Sequence, residues 1–520
     1  MKPMKRNELL VLLLILAIAS WFRLAGLHDT PPGLYPDEAM VGNEAINAWN
    51  TKTFSVFYPY NNGEEGLYAD IASIPIHFLG NTAFSLRLVS AIAGILTVLG
   101  VYLLARRMFD SWELAAMAAF FLATGFWHVN FSRIGFRAIL APMFAVWGFY
   151  ELYKGLETNR IWHWVLAGVS FGLGMYTYIA FRVMPLAILL VLGAYWLALS
   201  AAFSHGKFAF VRHQLAGGVA AMIGVGILVC LPIAAYFVGH PADFVGRTSQ
   251  ISVFSTSNPV MTVAVNTVKT LGMFFLAGDS NWRHNISGAP ILFWPVAALF
   301  AAGLVHTLWR FYDSWRKRGH PGVVQTLLLS WFLIGLIPEI FSNEGIPHAL
   351  RSIIDAPVVA IISAVGLHWL TVWLRKWYAM RDTHKICLPG PRGHRWCVGE
   401  GSLVVGISVI SLLFAIGVAE ANRYFVTWAQ DPNVPGAFNE NYADIARHIN
   451  SLPPATLKYV IVNAGGVLVN GIPMPAQTVM YLTDTWTPAD QAAHHVVYLL
   501  PEQVASTRIP RGAAVFSIDP

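Results

Sequence analysis

Apolar runs of about twenty residues recur along the whole chain, near 9–27, 85–105, 113–130, 138–153, 162–180, 183–203, 214–237, 289–310, 324–341, 352–374 and 401–419. Such a run matches a helix crossing the ~30 Å hydrocarbon core of a bilayer. Hydrocarbon in turn forces each segment to satisfy its own backbone hydrogen bonds. The expected fold is an all-α polytopic membrane protein with about eleven transmembrane helices, the alternative being twelve or thirteen. Only 12% of the 520 residues are charged, about half the share of a soluble chain. The net charge of +6 does not point to nucleic acid, because Lys and Arg lie mostly in short loops between the runs. Three cysteines cannot build a disulfide scaffold: Cys230 falls inside a span, and Cys387 and Cys397 share one loop.

Loop charge sets the expected orientation. Lys2, Lys5 and Arg6 precede Leu9–Leu27, and Ala17-Ile18-Ala19 has the small-residue pattern of a cleavage site. The apolar run continues to Leu27, so 1–27 reads as a retained signal anchor. With the amino terminus cytoplasmic, every inner loop is basic: Arg106/Arg107, Lys154/Arg160, Lys207/Arg212, Arg310–Arg318 and Arg375–Arg395. The outer side then receives the first loop (28–84), the loop Gly239–Ala289 and a tail domain (420–520), with the multi-span domain at 85–419. Met261–Ala277 is apolar but interrupted by Lys269, and reads as re-entrant or interfacial. The expected location is the cell membrane, multi-pass, with the tail extracytoplasmic.

Within the first loop, Pro31–Glu44 (PPGLYPDEAMVGNE) stops one helix with two prolines and a glycine and starts another at Pro36. Amphipathic helices are expected from Asp37 to about Trp49 and from Leu67 to His77, joined by a turn-rich connector carrying Glu64 and Glu65. The tail reads as a small α/β domain, with a helix at Tyr442–Asn450 and strands at Lys458–Asn463, Thr478–Leu482 and His495–Leu500.

The outer side gathers the groups that carry chemistry: Asp37, Glu38, Glu64, Glu65, His128, Arg133, Arg137, Tyr178, Arg182, Asp279, Arg283, His284, Glu344, His348 and Arg351. Arg133, Arg137, Arg182, Arg283 and Arg351 defy the positive-inside bias, which points to an anionic ligand on that side. A guanidinium forks onto phosphate, and a nearby carboxylate can take a proton from an acceptor hydroxyl. Asp37 and Glu38 also suit the positive end of their helix as simple capping charges. The parts are those for transfer from a phosphate leaving group to an alcohol.

The stretches PPGLYPDEA, NGEEGLY, FSLRL (84–88), FSRIGFR (131–137), DSNWRHN and EGIPHALR, in this order, resemble GT-C class membrane glycosyltransferases. More narrowly, they resemble the protein-mannosyltransferase and aminoarabinose-transferase-like group, over roughly 9–425. The resemblance implies a polyprenyl-phosphate-linked sugar donor, a protein, lipid or glycan acceptor, and transfer on the outer face, usually with inversion. It makes Asp37 the base and lets Glu38 shape the acceptor side. Arg137, Arg182 and Arg351 would hold the carrier phosphate, with Glu344 and His348 capping the cavity. No cofactor is required by these residues; a divalent metal stays open as an alternative without support, since the outer face shows no clear D-x-D.

On the inner side, His384-x2-Cys387 and His394-x2-Cys397 have the residue types of a tetrahedral zinc site, although the six residues between the pairs are few for a knuckle. A plain basic loop is the competing reading. The rival function is a transporter or flippase for a lipid-linked or other anionic substrate. That class buries charge near mid-membrane, whereas these charges cluster at outer ends and in outer loops.

Overall fold

The computed structural model describes residues 4–202, 205–380, 385–389 and 395–520. Each of the eleven apolar runs overlaps at least one helix among the described residues. Among the described residues, seven helices are long and apolar enough to cross a membrane: Arg6–Leu24, Ala83–Phe109, Ile179–Ala202, Arg212–Gly239, Val323–Ile340, Ile353–Ala379 and Gly401–Trp428. The other runs form Trp112–Thr124 followed by Phe126–Phe131, then Leu140–Thr158, Ile161–Gly174 and Trp294–Arg318. Ile353–Ala379 stands at the centre, with 83% of its apolar window buried, while Arg212–Gly239 and Gly401–Trp428, at 11%, form the rim. Gly303 and Gly366 let Trp294–Arg318 cross Ala356–Ala379 backbone to backbone; a Cβ on either would strike a carbonyl of the other helix.

Pro259–Gly272 has 14 residues and is about 21 Å long, short of the hydrocarbon thickness. Buried Asn266 ties it to the end of a spanning helix, donating to the carbonyls of Ile340 (3.0 Å) and Ser342 (2.6 Å). On the loop of the proposed zinc quartet, strands Lys385–Pro389 and Arg395–Gly399 pair antiparallel with Cys387 opposite Cys397. His384 and His394 lie outside the described residues.

The first loop contains both expected helices, Pro36–Thr51 and Leu67–Leu79. Leu67–Leu79 buries Tyr68, Ala72 and Ile76 and leaves Ile71, Ile74, Phe78 and Leu79 exposed, the apolar face of a helix lying in a membrane interface. Pro36–Thr51 is instead covered on both sides. It packs on Leu67–Leu79 and on the tail helix Gln477–Thr483, whose Tyr481 ring occupies the space left by Gly42.

In the tail, helix Glu440–Ser451 accompanies a three-stranded parallel sheet in which Lys458–Val462 lies between Val496–Leu499 and Ala514–Ile518. Thr478–Leu482, read as a strand from its apolar run, is helical. A short apolar run buried on all sides carries no periodicity to separate the two states, and the turn Met474–Ala476 leads the chain into a helix here. The strand Ala514–Ile518 was not anticipated.

Candidate active site

Loops from distant parts of the chain meet at the first-loop end of the bundle, around a cavity of about 330 Å³. Asp37, Glu64, Glu65, Arg137, Tyr178, Arg182 and Arg351 all line it.

Two local devices aim the acidic wall. Pro36 opens the helix, and Glu38 on its first turn accepts from the Tyr35 backbone N–H at 3.3 Å. Successive helical residues point about 100° apart, so the neighbouring acids diverge. Asp37 faces the cavity and accepts from Asn61 Nδ2 at 3.0 Å. Glu38 turns into the protein. In the connector, Asn61, Asn62 and Gly63 all adopt positive φ (48°, 67° and 86°), a conformation that asparagine and glycine tolerate. This turn closes the hairpin of Phe57–Tyr58 with Glu64–Glu65. It sets Asn61 beside Asp37 and sends both glutamates against Arg137.

Arg137 bridges the second acidic pair, at 3.0 Å from Glu64 and 2.9 Å from Glu65. Arg182 reaches Glu65 at 3.4 Å and donates to the Phe244 carbonyl at 3.1 Å. Burial pushes Glu64 up to about 7, against the pull of Arg137 and with help from the charges of Asp37 and Glu65. Glu44, two turns along the helix from Asp37, is fully buried with no hydrogen-bond partner on either oxygen among the described residues. Burial, then the Glu64 charge, holds it well above the carboxylate range. Asp70 is likewise raised by burial to about 6, despite accepting from the Tyr58 hydroxyl at 2.9 Å.

Arg182 also belongs to a second wall. On its other side lies an apolar groove of about 400 Å³, lined by Met175, Ile233, Phe237, Val238 and Phe244. Its guanidinium stacks over the rings of Phe244 (4.6 Å) and Phe237 (5.3 Å). A charged cavity and an apolar groove therefore meet at one arginine.

Other expected site residues do not line this cavity. Glu38 is fully buried and chelated by Arg87 (Nε–Oε2 2.9 Å, Nη2–Oε1 3.0 Å) and by the Gly135 N–H at 2.7 Å. Arg133 donates to the carbonyls of Phe22, Ala25 and Thr30 at the end of the first span. His128 accepts from buried Arg23 at 2.8 Å. Neither lines the cavity that holds Asp37, and His128 Nε2 is buried without a hydrogen-bond partner among the described residues. Arg283 stacks on Tyr35, 3.7 Å from the ring centre. The side chain of Glu344 points to the exterior, and its carbonyl accepts from Arg351. Asp279, His284 and His348 gather in a separate cluster behind the cavity.

Asn61 and Asp243, which line the cavity, were missed. The only signal for Asn61 was its place in a turn-rich connector.

The family model for dolichyl-phosphate-mannose-protein mannosyltransferases matches residues 68–228. Among solved structures, ArnT from Cupriavidus metallidurans bound to undecaprenyl phosphate is similar over 97% of this chain and 89% of its own, with a TM-score of 0.56 at 13% identity. The oligosaccharyltransferase of Archaeoglobus fulgidus, tethered with an acceptor peptide, aligns over 96% of this chain with a TM-score of 0.54 at 16% identity. This chain spans 64% of that enzyme's length. The chain has the GT-C fold. The likeness of fold covers nearly all of this chain, beyond the 9–425 over which the six motifs resemble that class. A search by sequence against curated proteins gave no match.

Proposed function

We propose that this GT-C protein transfers a sugar from a polyprenyl-phosphate carrier to an acceptor hydroxyl. The observation that carries the reading is the junction at Arg182, where the carboxylate-and-arginine cavity adjoins an apolar groove. A lipid phosphate needs that pairing: a guanidinium for the phosphate and an oily channel for the prenyl chain. Undecaprenyl phosphate bound to ArnT, and the mannosyltransferase family match over 68–228, support the same donor class.

In this mechanism the carrier phosphate rests against Arg182, Arg137 and Arg351, which stabilise its charge as it departs. Asp37, oriented by Asn61, takes the proton from the acceptor hydroxyl as the oxygen attacks the anomeric carbon. The bond to the phosphate breaks and the lipid phosphate leaves. Attack opposite the leaving group inverts the anomeric centre. The acceptor reaches the cavity from the first-loop end, which we place outside the membrane.

The test is transfer from a radiolabelled polyprenyl-phosphate sugar by purified protein in lipid, comparing wild type with Asp37→Asn. The variant should lose about 10²–10⁴-fold in turnover while keeping its carrier affinity and melting temperature. Undiminished turnover would move the base to another carboxylate of the cavity. Movement of labelled lipid between leaflets without transfer would favour a flippase.

A further inference from the structure

Behind the cavity, two loops converge on a single carboxylate oxygen. Asp279 Oδ2 lies 2.9 Å from His284 Nδ1 and 3.9 Å from His348 Nδ1, and the three potential donor atoms all fall within 4.8 Å of one another. We infer that Asp279, His284 and His348 form a binding site for a zinc-like divalent cation that clamps the loop around 278–291 to the loop carrying Arg351.

The spacing fits the ion. Donors bound at 2.0–2.1 Å in a tetrahedral shell lie about 3.3–3.4 Å apart, a separation bracketed by 2.9 and 3.9 Å. Two imidazoles and one carboxylate form a borderline nitrogen–oxygen set that suits zinc, whereas calcium and magnesium ask for all-oxygen shells. Asp279 and His284 are almost fully buried, and His348 Nδ1 is enclosed yet has no hydrogen-bond partner among the described residues. A buried imidazole nitrogen left without a partner is costly in a folded chain. A cation would satisfy it.

The surroundings are built to hold the donors. Asp279 Oδ1 accepts from the Asn281 N–H and Oδ2 from the Ala349 N–H, each at 2.8 Å, the backbone support expected behind a metal ligand. Glu339 fixes the His348 backbone N–H at 2.6 Å. Its other oxygen is buried without a partner among the described residues. The nearby cations are committed elsewhere: Arg283 is stacked on Tyr35, and Arg351 donates to the Glu344 carbonyl. None of the three ligands lines the cavity, so the ion would be structural. Its effect on the site is to fix Arg351, three residues beyond His348.

The test needs no sugar transfer. Protein stripped with a chelator and dialysed against zinc or cobalt(II) is assayed for bound metal and for the visible spectrum of cobalt. Cys387→Ser/Cys397→Ser serves as the background, so that the inner loop cannot contribute. About one equivalent per chain is expected, with a tetrahedral cobalt spectrum and only nitrogen and oxygen neighbours in X-ray absorption. Asp279→Asn and His348→Ala should each weaken binding at least tenfold and abolish the rise in melting temperature that zinc gives the parent. Absence of stoichiometric metal in the parent overturns the site whatever the variants do. So does equal retention of metal by folded variants.

Discussion

Glu38 with Arg87 and Glu65 with Arg137 are both carboxylate–guanidinium contacts of 2.9 Å, and both acids come from the first loop. They differ in what surrounds them. Glu38 and Arg87 are sealed from solvent, and Arg87 spends its remaining donors on the carbonyls of Pro31 and Gly33. This pair nails the first loop to the bundle. The arginines facing Glu64 and Glu65 instead line an open cavity, and Arg182 extends to an apolar groove. Identical chemistry thus closes every hydrogen bond in one setting and borders an open cavity in the other.

The sharpest way to break the comparison is to exchange consequences within the adjacent pair Asp37/Glu38. Glu38→Ala strands a buried guanidinium and should cost about 3–5 kcal/mol of stability, seen as a large fall in melting temperature or failure to accumulate. Asp37→Asn should leave the melting temperature unchanged and act on turnover alone. A stable Glu38→Ala chain with lost turnover would reverse the assignment.

A smaller effect is expected at the junction. In the proposed mechanism Arg182→Ala would remove one charge-assisted contact to the carrier, worth about 1.5–3 kcal/mol, so carrier affinity should fall by roughly 10–100-fold. Arg133→Ala, by contrast, removes caps on the carbonyls of Phe22, Ala25 and Thr30 and should lower stability with little change in affinity per folded molecule. Titration of a fluorescent polyprenyl phosphate, with melting curves on the same samples, separates the two. Equal affinity losses would mean that Arg182 is architectural as well.

The difference between the two arginine classes was only partly legible in the sequence. The apolar runs and the loop charges yielded the helices and gathered the right loops at one end. Pro36 and the connector turn gave both first-loop helices to within a few residues. What the sequence could not supply was the partner of each charge. Glu38 meets Arg87, 49 residues on, and Arg133 meets carbonyls of the first span; such pairings depend on how helices pack. Helical geometry did hold one unused clue, since adjacent acids cannot face the same way. Thr478–Leu482 failed for a related reason, its helix being decided by burial between Pro36–Thr51 and Glu440–Ser451.

The smallest effect, and the finest probe of the open pair, is pH. Burial raises Glu64 from its ordinary 4.5 to about 7. The folded chain therefore keeps a proton that the unfolded chain releases. This group's contribution to stability is complete below about pH 4.5 and is lost as pH rises through about 7. An anionic phosphate arriving beside Arg137 would raise Glu64 further, so carrier binding takes up a proton. Affinity should consequently tighten several-fold as pH falls from about 8 to about 6, by less than tenfold per pH unit for one linked proton. In Glu64→Gln the affinity slope should flatten. A full slope in that variant would transfer the titration to Glu44 or Asp70, the other buried acids of the first loop.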